Sequence, residues 1–331
     1  MKHLATTQVA AYYDPEASEF RILLSDAPMS MLAPVYAHEL YHGLQDQYWD
    51  LDAYMLDGIA SGLNDDELLA RQAVVEGEAT YIMTLWTLEK LSGRPPSRFT
   101  VSLAVWSQSM LSAASSESLL ASSAATLGAD MQASIAAMDE IPPFLLETMF
   151  AAYFKGMAFV HALAGQGWDA VAALYTDPPR SSEQILHPEK YLRRDDPVSI
   201  SLPDLATEPV LAGWTVLDSN VIGELQWRLI FQEYGFGLQA AALAAGWDGD
   251  RYAVLERDGA TLLLLLTAWD STAEAEEFAT AYTAMLGEKH RGRELPWQVE
   301  VRGAEVLIVE GGERARLGDY LDVIARARRS E

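Results

Sequence analysis

The 331-residue sequence predicts an α+β protein, mainly helical and divided into two domains. Residues 31–175 carry apolar side chains at three- and four-residue spacing, the period of amphipathic helices. Strand-like alternation is confined to a short stretch near the N-terminus and to residues 251–309, where capped helices interrupt it. Residues 202–212 hold two prolines and little periodicity, which places the boundary there: one domain over residues 1–205 and a second over 206–331.

Residues 8–13 and 20–24 read as two strands joined through Asp14-Pro15-Glu16. Pro28 and Ser30 precede a helix over 31–49, with Pro34 in its first turn, where a missing N–H is tolerated. Leu32, Val35, Tyr36, Leu40 and Leu44 form its apolar stripe. After a polar connection, Asn64 and Glu67 make a capping box for a second helix, which stops at Ser92-Gly93 before Pro95-Pro96. Residues 99–138, rich in Ala and Ser, read as two or three helices. Pro142-Pro143 open a helix over 144–164, and a shorter one runs from Trp168 to Tyr175 before Asp177-Pro178-Pro179. In the second domain, helices at 222–234 and 238–245 precede strands at 251–257 and 261–269. Ser271 and Glu274 cap a helix ending near Gly287. Residues 297–301 and 304–309 form a hairpin about Arg302-Gly303, and a helix over 317–328 closes the chain.

The first long helix contains His38-Glu39-Leu40-Tyr41-His42, an HExxH pentapeptide. Residues four apart share a helix face with Cβ atoms about 5–6 Å apart. Two imidazoles so placed can hold one Zn²⁺ at about 2.0–2.1 Å. Glu39, on the flank of that face, stands where a general base reaches a water without competing for the metal. A catalytic zinc takes three protein ligands and keeps one position open. The extended form ending in a third His is excluded, because Gln45 and Tyr48 occupy its positions. Glu76 is the leading third ligand: it lies mid-helix in an apolar stretch, where a carboxylate is costly unless paired or metal-bound. Glu78 points to a different side of the helix and stands as the alternative. Gly77 costs the helix about 1 kcal/mol relative to Ala, which implies close approach of another group to its backbone.

On these residues the chain resembles the gluzincin peptidases, the thermolysin and aminopeptidase group, and Glu76-Gly77-Glu78-Ala79 is similar to their Glu-Gly-x-Ala ligand segment. Residues 37–46 (AHELYHGLQD), 75–80 (VEGEAT) and 178–191 (PPRSSEQILHPEKY) are similar to an uncharacterised bacterial family of predicted metallopeptidases. The likeness spans about the first 200 residues. It implies a gluzincin-like (zincin) catalytic domain with one Zn²⁺ per chain on His38, His42 and Glu76, and with Glu39 as general base. It also implies a hairpin beside the metal helix whose free edge pairs with an extended peptide. In such enzymes a His or Tyr from the later lobe stabilises the oxyanion. His187, Tyr153, Tyr191 and His161 are eligible here; His187 leads because Pro188 holds its backbone extended, and Tyr153 follows. Asp46 and Asp50 are placed either to stand as solvated charges near the helix end or to orient a ligand imidazole. Arg180 is placed to receive a substrate carboxylate or to pair with Glu183. Gluzincin aminopeptidases carry Gly-x-Met-x-Asn upstream of the zinc helix, and residues 24–30 (LSDAPMS) do not match it. The expected mode is therefore endopeptidase-like, with Tyr36, Tyr153 or Phe159 lining an apolar pocket.

A net charge of −25 argues against nucleic acid and anionic membrane as partners. No apolar run reaches the roughly 18–20 residues a bilayer span needs. The absence of Cys excludes disulfides and thiolate ligands. The chain shows no signal peptide as written, so the expectation is cytoplasmic by default, with export open if the N-terminus is trimmed. The expected partner is a peptide or protein substrate, and the oligomeric state is not legible. A competing reading is a catalytically silent gluzincin-like binding or scaffold protein. Retention of His38, Glu39, His42 and Glu76 together favours the enzyme.

Overall fold

The computed structural model describes residues 11–22, 28–57, 62–111, 143–292 and 294–330. The expected strand residues 8–10 and 23–24 and the expected helices within 112–138 lie outside them. The chain is α+β and divides into two compact units: residues 1–63, 67–179 and 185–188, and residues 64–66, 180–184 and 189–331.

In the first unit an antiparallel hairpin, β1 (Ala11–Asp14) and β2 (Glu19–Ile22), precedes helices α1 (Met29–Trp49), α2 (Asp65–Ser92), α3 (Arg98–Leu111), α4 (Pro143–Ala164) and α5 (Trp168–Ala172). The helix α1 begins at Met29, so Pro34 falls in its second turn rather than its first. It ends where Asp50 turns to a φ of 51° and the Asp46 carboxylate accepts the Leu51 N–H at 3.0 Å. Its buried face is not the apolar stripe expected. Leu40 and Leu44 are exposed, together with Tyr48, while Leu32, His38, His42 and Gln45 are buried. His38, His42 and Gln45 share one polar face at helical spacing, and Leu32, the one fully buried member of the expected stripe, lies to its side.

The close approach expected at Gly77 is present. A Cβ there would lie 2.2 Å from the Gly156 carbonyl carbon, and one on Gly156 would lie 2.0 Å from the Ala73 carbonyl oxygen. The helices α2 and α4 therefore meet backbone to backbone. Around them Ala70, Ala73 and Val74 of α2 and Met157, Phe159, Val160 and Leu163 of α4 are almost fully buried.

Short helices α6 (Ser182–Leu186) and α7 (Pro188–Arg193) lead into the second unit. It holds β3 (Ser199–Ser201), β4 (Thr215–Asn220), α8 (Gly223–Glu233), α9 (Ala240–Ala244), β5 (Trp247–Arg257), β6 (Ala260–Trp269), α10 (Thr272–Lys289), β7 (Trp297–Arg302), β8 (Glu305–Gly311), α11 (Leu317–Ile324) and β9 (Arg328–Ser330). Five of the strands form an antiparallel sheet in the order β4-β5-β6-β8-β7. The leucine run of β6 shows why both faces are covered. Leu262, Leu264 and Leu266 pack with Tyr320, Leu321 and Ile324 of α11, while Leu265 packs with Trp227 of α8 and Phe278 of α10. A strand apolar at every position needs a layer on each side. Ser271 caps α10 as expected, accepting the Glu274 N–H at 3.3 Å.

The division falls earlier than residue 205. Val198 N–H donates to Asp248 O, β3 pairs with β9, and Ile200, Leu205, Leu211 and Trp214 join the α11 core. The aperiodic 202–212 stretch is thus two 3₁₀ turns, Leu205–Thr207 and Pro209–Leu211, packed on that core rather than a linker. The last helix stops at Ile324 because residues 328–330 are drawn into β9. His290 is bound to the buried Glu310 at 3.0 Å, beside Lys289 at 2.7 Å.

Two stability predictions follow from these contacts. Gly77→Ala forces a methyl into the α4 backbone and should destabilise the first unit by about 1–3 kcal/mol or more. Gly287→Ala, on an open face of α10 with nothing within 4 Å, should instead stabilise the second by about 0.5–1 kcal/mol. Thermal unfolding of the two variants reads both signs. Burial, with Asp250 and Glu224 nearby, pushes the Asp66 carboxyl up to about 7, against the Ser182 N–H it accepts at 3.0 Å. Between the unfolded and folded pKa values the folded state holds a proton that the unfolded state releases. Stability therefore falls as pH rises from about 4 to 7. Asp66→Asn should flatten that fall, measured by urea unfolding across the pH range.

Candidate metal centre

Three elements of the first unit assemble the site. The buried face of α1 presents His38, His42 and Gln45, with Glu39 on its flank; α2 presents Glu76 and Glu78; α4 presents Tyr153. The His38 and His42 Nε2 atoms lie 3.0 Å apart, and Glu76 Oε2 lies 3.2 Å from the first and 3.4 Å from the second. A zinc tetrahedron with bonds of about 2.0–2.1 Å has donor–donor edges of about 3.3–3.4 Å. The observed triangle is close to one face of such a tetrahedron, so the three side chains fit a zinc ion. Among the described residues this is the one group of three or more His, Asp or Glu whose donor atoms converge within 4.8 Å.

Glu76 and His42 also shift one another's titration. Burial pushes the Glu76 carboxyl up, but hydrogen bonds and charge from His38 and His42 outweigh it and hold it at about 2. Burial pulls the His42 imidazole down, and Glu76 raises it above its ordinary value on balance. These are the shifts of an ion pair, in which carboxylate and imidazole hold one another in their charged forms.

Glu39 stays out of the triangle. Its Oε2 accepts the Tyr13 backbone N–H at 3.1 Å, so β1 fixes the carboxylate beside the two imidazoles. Burial raises its pKa, opposed by His42 and His38. Tyr153 stacks on the His38 ring, centroids 5.7 Å apart at 20°, and its hydroxyl bonds Glu76. Burial and the carboxylates around it push the phenol up, so it remains a donor.

The alternative ligand, Glu78, is engaged elsewhere. It accepts Tyr41 OH at 2.8 Å, Tyr175 OH at 2.6 Å and Gln45 Nε2 at 3.0 Å. Asp46 and Asp50 do not orient an imidazole: Asp46 accepts Tyr13 OH at 2.7 Å, and Asp50 accepts the Ala53 N–H at 2.9 Å. That contact is made by Gln45, whose Oε1 lies 2.7 Å from His42 Nδ1. Gln45 was legible only as the residue excluding a longer motif, although its place seven after His38 puts it on the ligand face.

His187 is half-buried between α6 and α7, while Tyr153 and Gln45 are the residues seen against Glu76 and His42. His161 is tied to Ser102 Oγ at 3.0 Å and Tyr81 OH at 3.2 Å, away from any ligand role. Tyr191 is buried, with the Arg194 guanidinium over its ring. Arg180 pairs with Asp196, and Glu183 pairs with Lys190 at 2.6 Å. Phe159 is fully buried and cannot line a pocket, whereas Tyr36 is half-buried and meets Phe20 edge-on at 5.9 Å. Among the described residues no helix is long and apolar enough to cross a membrane.

Residues 210–320, within the second unit, match a domain of unknown function (DUF8575). No curated protein and no solved structure matches the chain. The family match describes the C-terminal region alone, and the reading of the donor triangle rests on its own geometry.

Proposed function

We propose that the first unit is a gluzincin-like zinc hydrolase acting on peptides, and the convergence of His38, His42 and Glu76 beside Glu39 is the observation that carries this reading. Zinc held by these three side chains would supply a Lewis acid and an acidified water. Glu39 takes the proton from the attacking water and returns it to the leaving amine. Its raised pKa suits both halves of that transfer, and the Tyr13 N–H keeps its second oxygen free and aimed. The Tyr153 hydroxyl, already at Glu76 and kept protonated by burial, donates to the developing oxyanion, a role it fills in place of His187.

An extended substrate suits the hairpin. The strand β2 pairs only with β1 among the described residues, so its outer edge is open to a further strand. Tyr36 and Tyr153 supply the apolar surface for a side chain after the scissile bond.

Protein purified without added zinc should carry about one equivalent, and Glu76→Ala should carry less than about 0.1. Metal analysis decides it. Glu39→Gln should retain the metal while cleavage of an unfolded protein substrate is abolished. Loss of zinc in that variant would make Glu39 structural. Wild-type digests read by mass spectrometry should show internal cuts before large apolar residues; one-residue trimming from the N-terminus would overturn the endopeptidase reading. A metal-loaded wild type that cleaves no member of a broad peptide panel would favour a silent binding protein.

A further inference from the structure

We infer that Gln45, clamped by Glu78 and Tyr175, is a positioning residue that sets the tautomer of His42 and thereby the zinc affinity of the site; this rests on the reading of His38, His42 and Glu76 as a metal centre. The orientation of the Gln45 amide follows from its partners. One end lies 3.0 Å from the Val75 carbonyl oxygen and 3.0 Å from Glu78 Oε2. Both are acceptors, so that end must be the nitrogen. The other end, Oε1, then faces His42 Nδ1 at 2.7 Å and requires a hydrogen on it. A neutral His42 protonated at Nδ1 carries its lone pair on Nε2, the atom aimed at Glu76 and His38.

The clamp extends one layer further. Tyr175 OH donates to Glu78 Oε2 at 2.6 Å and lies 2.6 Å from Gln45 Nε2, whose two hydrogens are shared among Val75 O, Glu78 Oε2 and Tyr175 OH. Its ring is stacked on Trp49 at 5.0 Å and 2°, and Tyr54 packs on it at 5.2 Å. Tyr41 OH holds the other Glu78 oxygen at 2.8 Å. Gln45 and Glu78 are buried at 3% and 6% exposure, so water does not compete for these bonds. Rotation of the amide would set its NH₂ against the His42 N–H and its oxygen against a carbonyl and a carboxylate. The Val75 carbonyl and the Glu78 carboxylate therefore enforce one orientation, and the orientation fixes the imidazole.

The test is zinc affinity, measured by competition with a chromophoric chelator, alongside thermal unfolding of the metal-free proteins. Gln45→Leu keeps the volume and removes the acceptor, and should weaken zinc binding about 10- to 100-fold. Tyr175→Phe leaves the ring stack and should weaken it several-fold, which keeps the test alive if the leucine variant fails to fold. The double variant Gln45→Glu/Glu78→Gln exchanges carboxylate and amide at unchanged net charge and returns an acceptor to Nδ1. It should bind zinc more tightly than Gln45→Leu. Independently of metal, ¹⁵N NMR of the neutral imidazoles should show His42 as the Nδ1–H tautomer in the wild type and not in Gln45→Leu. Wild-type zinc affinity in Gln45→Leu, or an Nε2–H tautomer in the wild type, would overturn the clamp alone. A wild type that takes up no zinc would overturn the metal centre and the clamp's role in affinity with it, while the tautomer reading would still stand.

Discussion

The contact between Gly77 and Gly156 is the constraint on which the rest of the first unit depends. With a Cβ on either glycine, the two helices would be forced apart, since the nearest atoms are backbone and cannot turn aside. Glu76 is the residue before Gly77, and Tyr153 lies one turn before Gly156 on the facing helix. Their hydroxyl–carboxylate bond exists because the backbones touch one residue and one turn away. The glycine that weakens α2 as an isolated helix is thus what brings its carboxylate to His38 and His42.

That placement explains the inverted polarity of α1. A helix normally buries its apolar stripe, yet here Leu40, Leu44 and Tyr48 are outside and His38, His42 and Gln45 inside. Buried polar groups are tolerated when they are hydrogen-bonded, and each of these three finds partners on α1 itself or on α2. The carboxylates of α2 select the face of α1 that turns inward. Side-chain chemistry overrides hydropathy at this one helix because the opposing surface is itself charged.

The legible part of the site was the part with fixed spacing. His38, Glu39 and His42 could be read from one pentapeptide, and Glu76 from a carboxylate in an apolar run next to a glycine. Glu76 could be separated from Glu78 only in three dimensions, where Glu78 is taken by Tyr41 and Tyr175, residues 37 and 97 positions away. The same limit hid Gln45, whose amide is held by Val75, Glu78 and Tyr175. Most helices and the long strands were visible in their periodicity, whereas β3, β4 and β9 were not. Those three are short, largely exposed and paired across long sequence distances, so no local pattern marks them. The mistaken boundary at 205 has the same origin: β3 belongs to the second unit by virtue of a partner strand far along the chain, Ser199 pairing with Ser330.

The acidic side chains of the two units differ in a way that bears on function. In the second unit Asp250 is buried against four donors, the Ile222 and Gly223 N–H groups and the indoles of Trp227 and Trp247. Glu310 is likewise bound by Tyr282, Lys289 and His290. Such carboxylates are closed by their own surroundings and serve to pin strands to helices. Glu78 in the first unit belongs with them. Glu76 does not, because two of its partners are imidazole nitrogens that also face each other at 3.0 Å. Two lone pairs and a carboxylate oxygen cannot satisfy one another without a shared positive charge. Protons on the imidazoles can supply it, and so can a metal ion with the geometry of the triangle. Glu78, closed by Tyr41 and Tyr175, holds one wall of the site, while Glu76 stays turned to the two imidazoles.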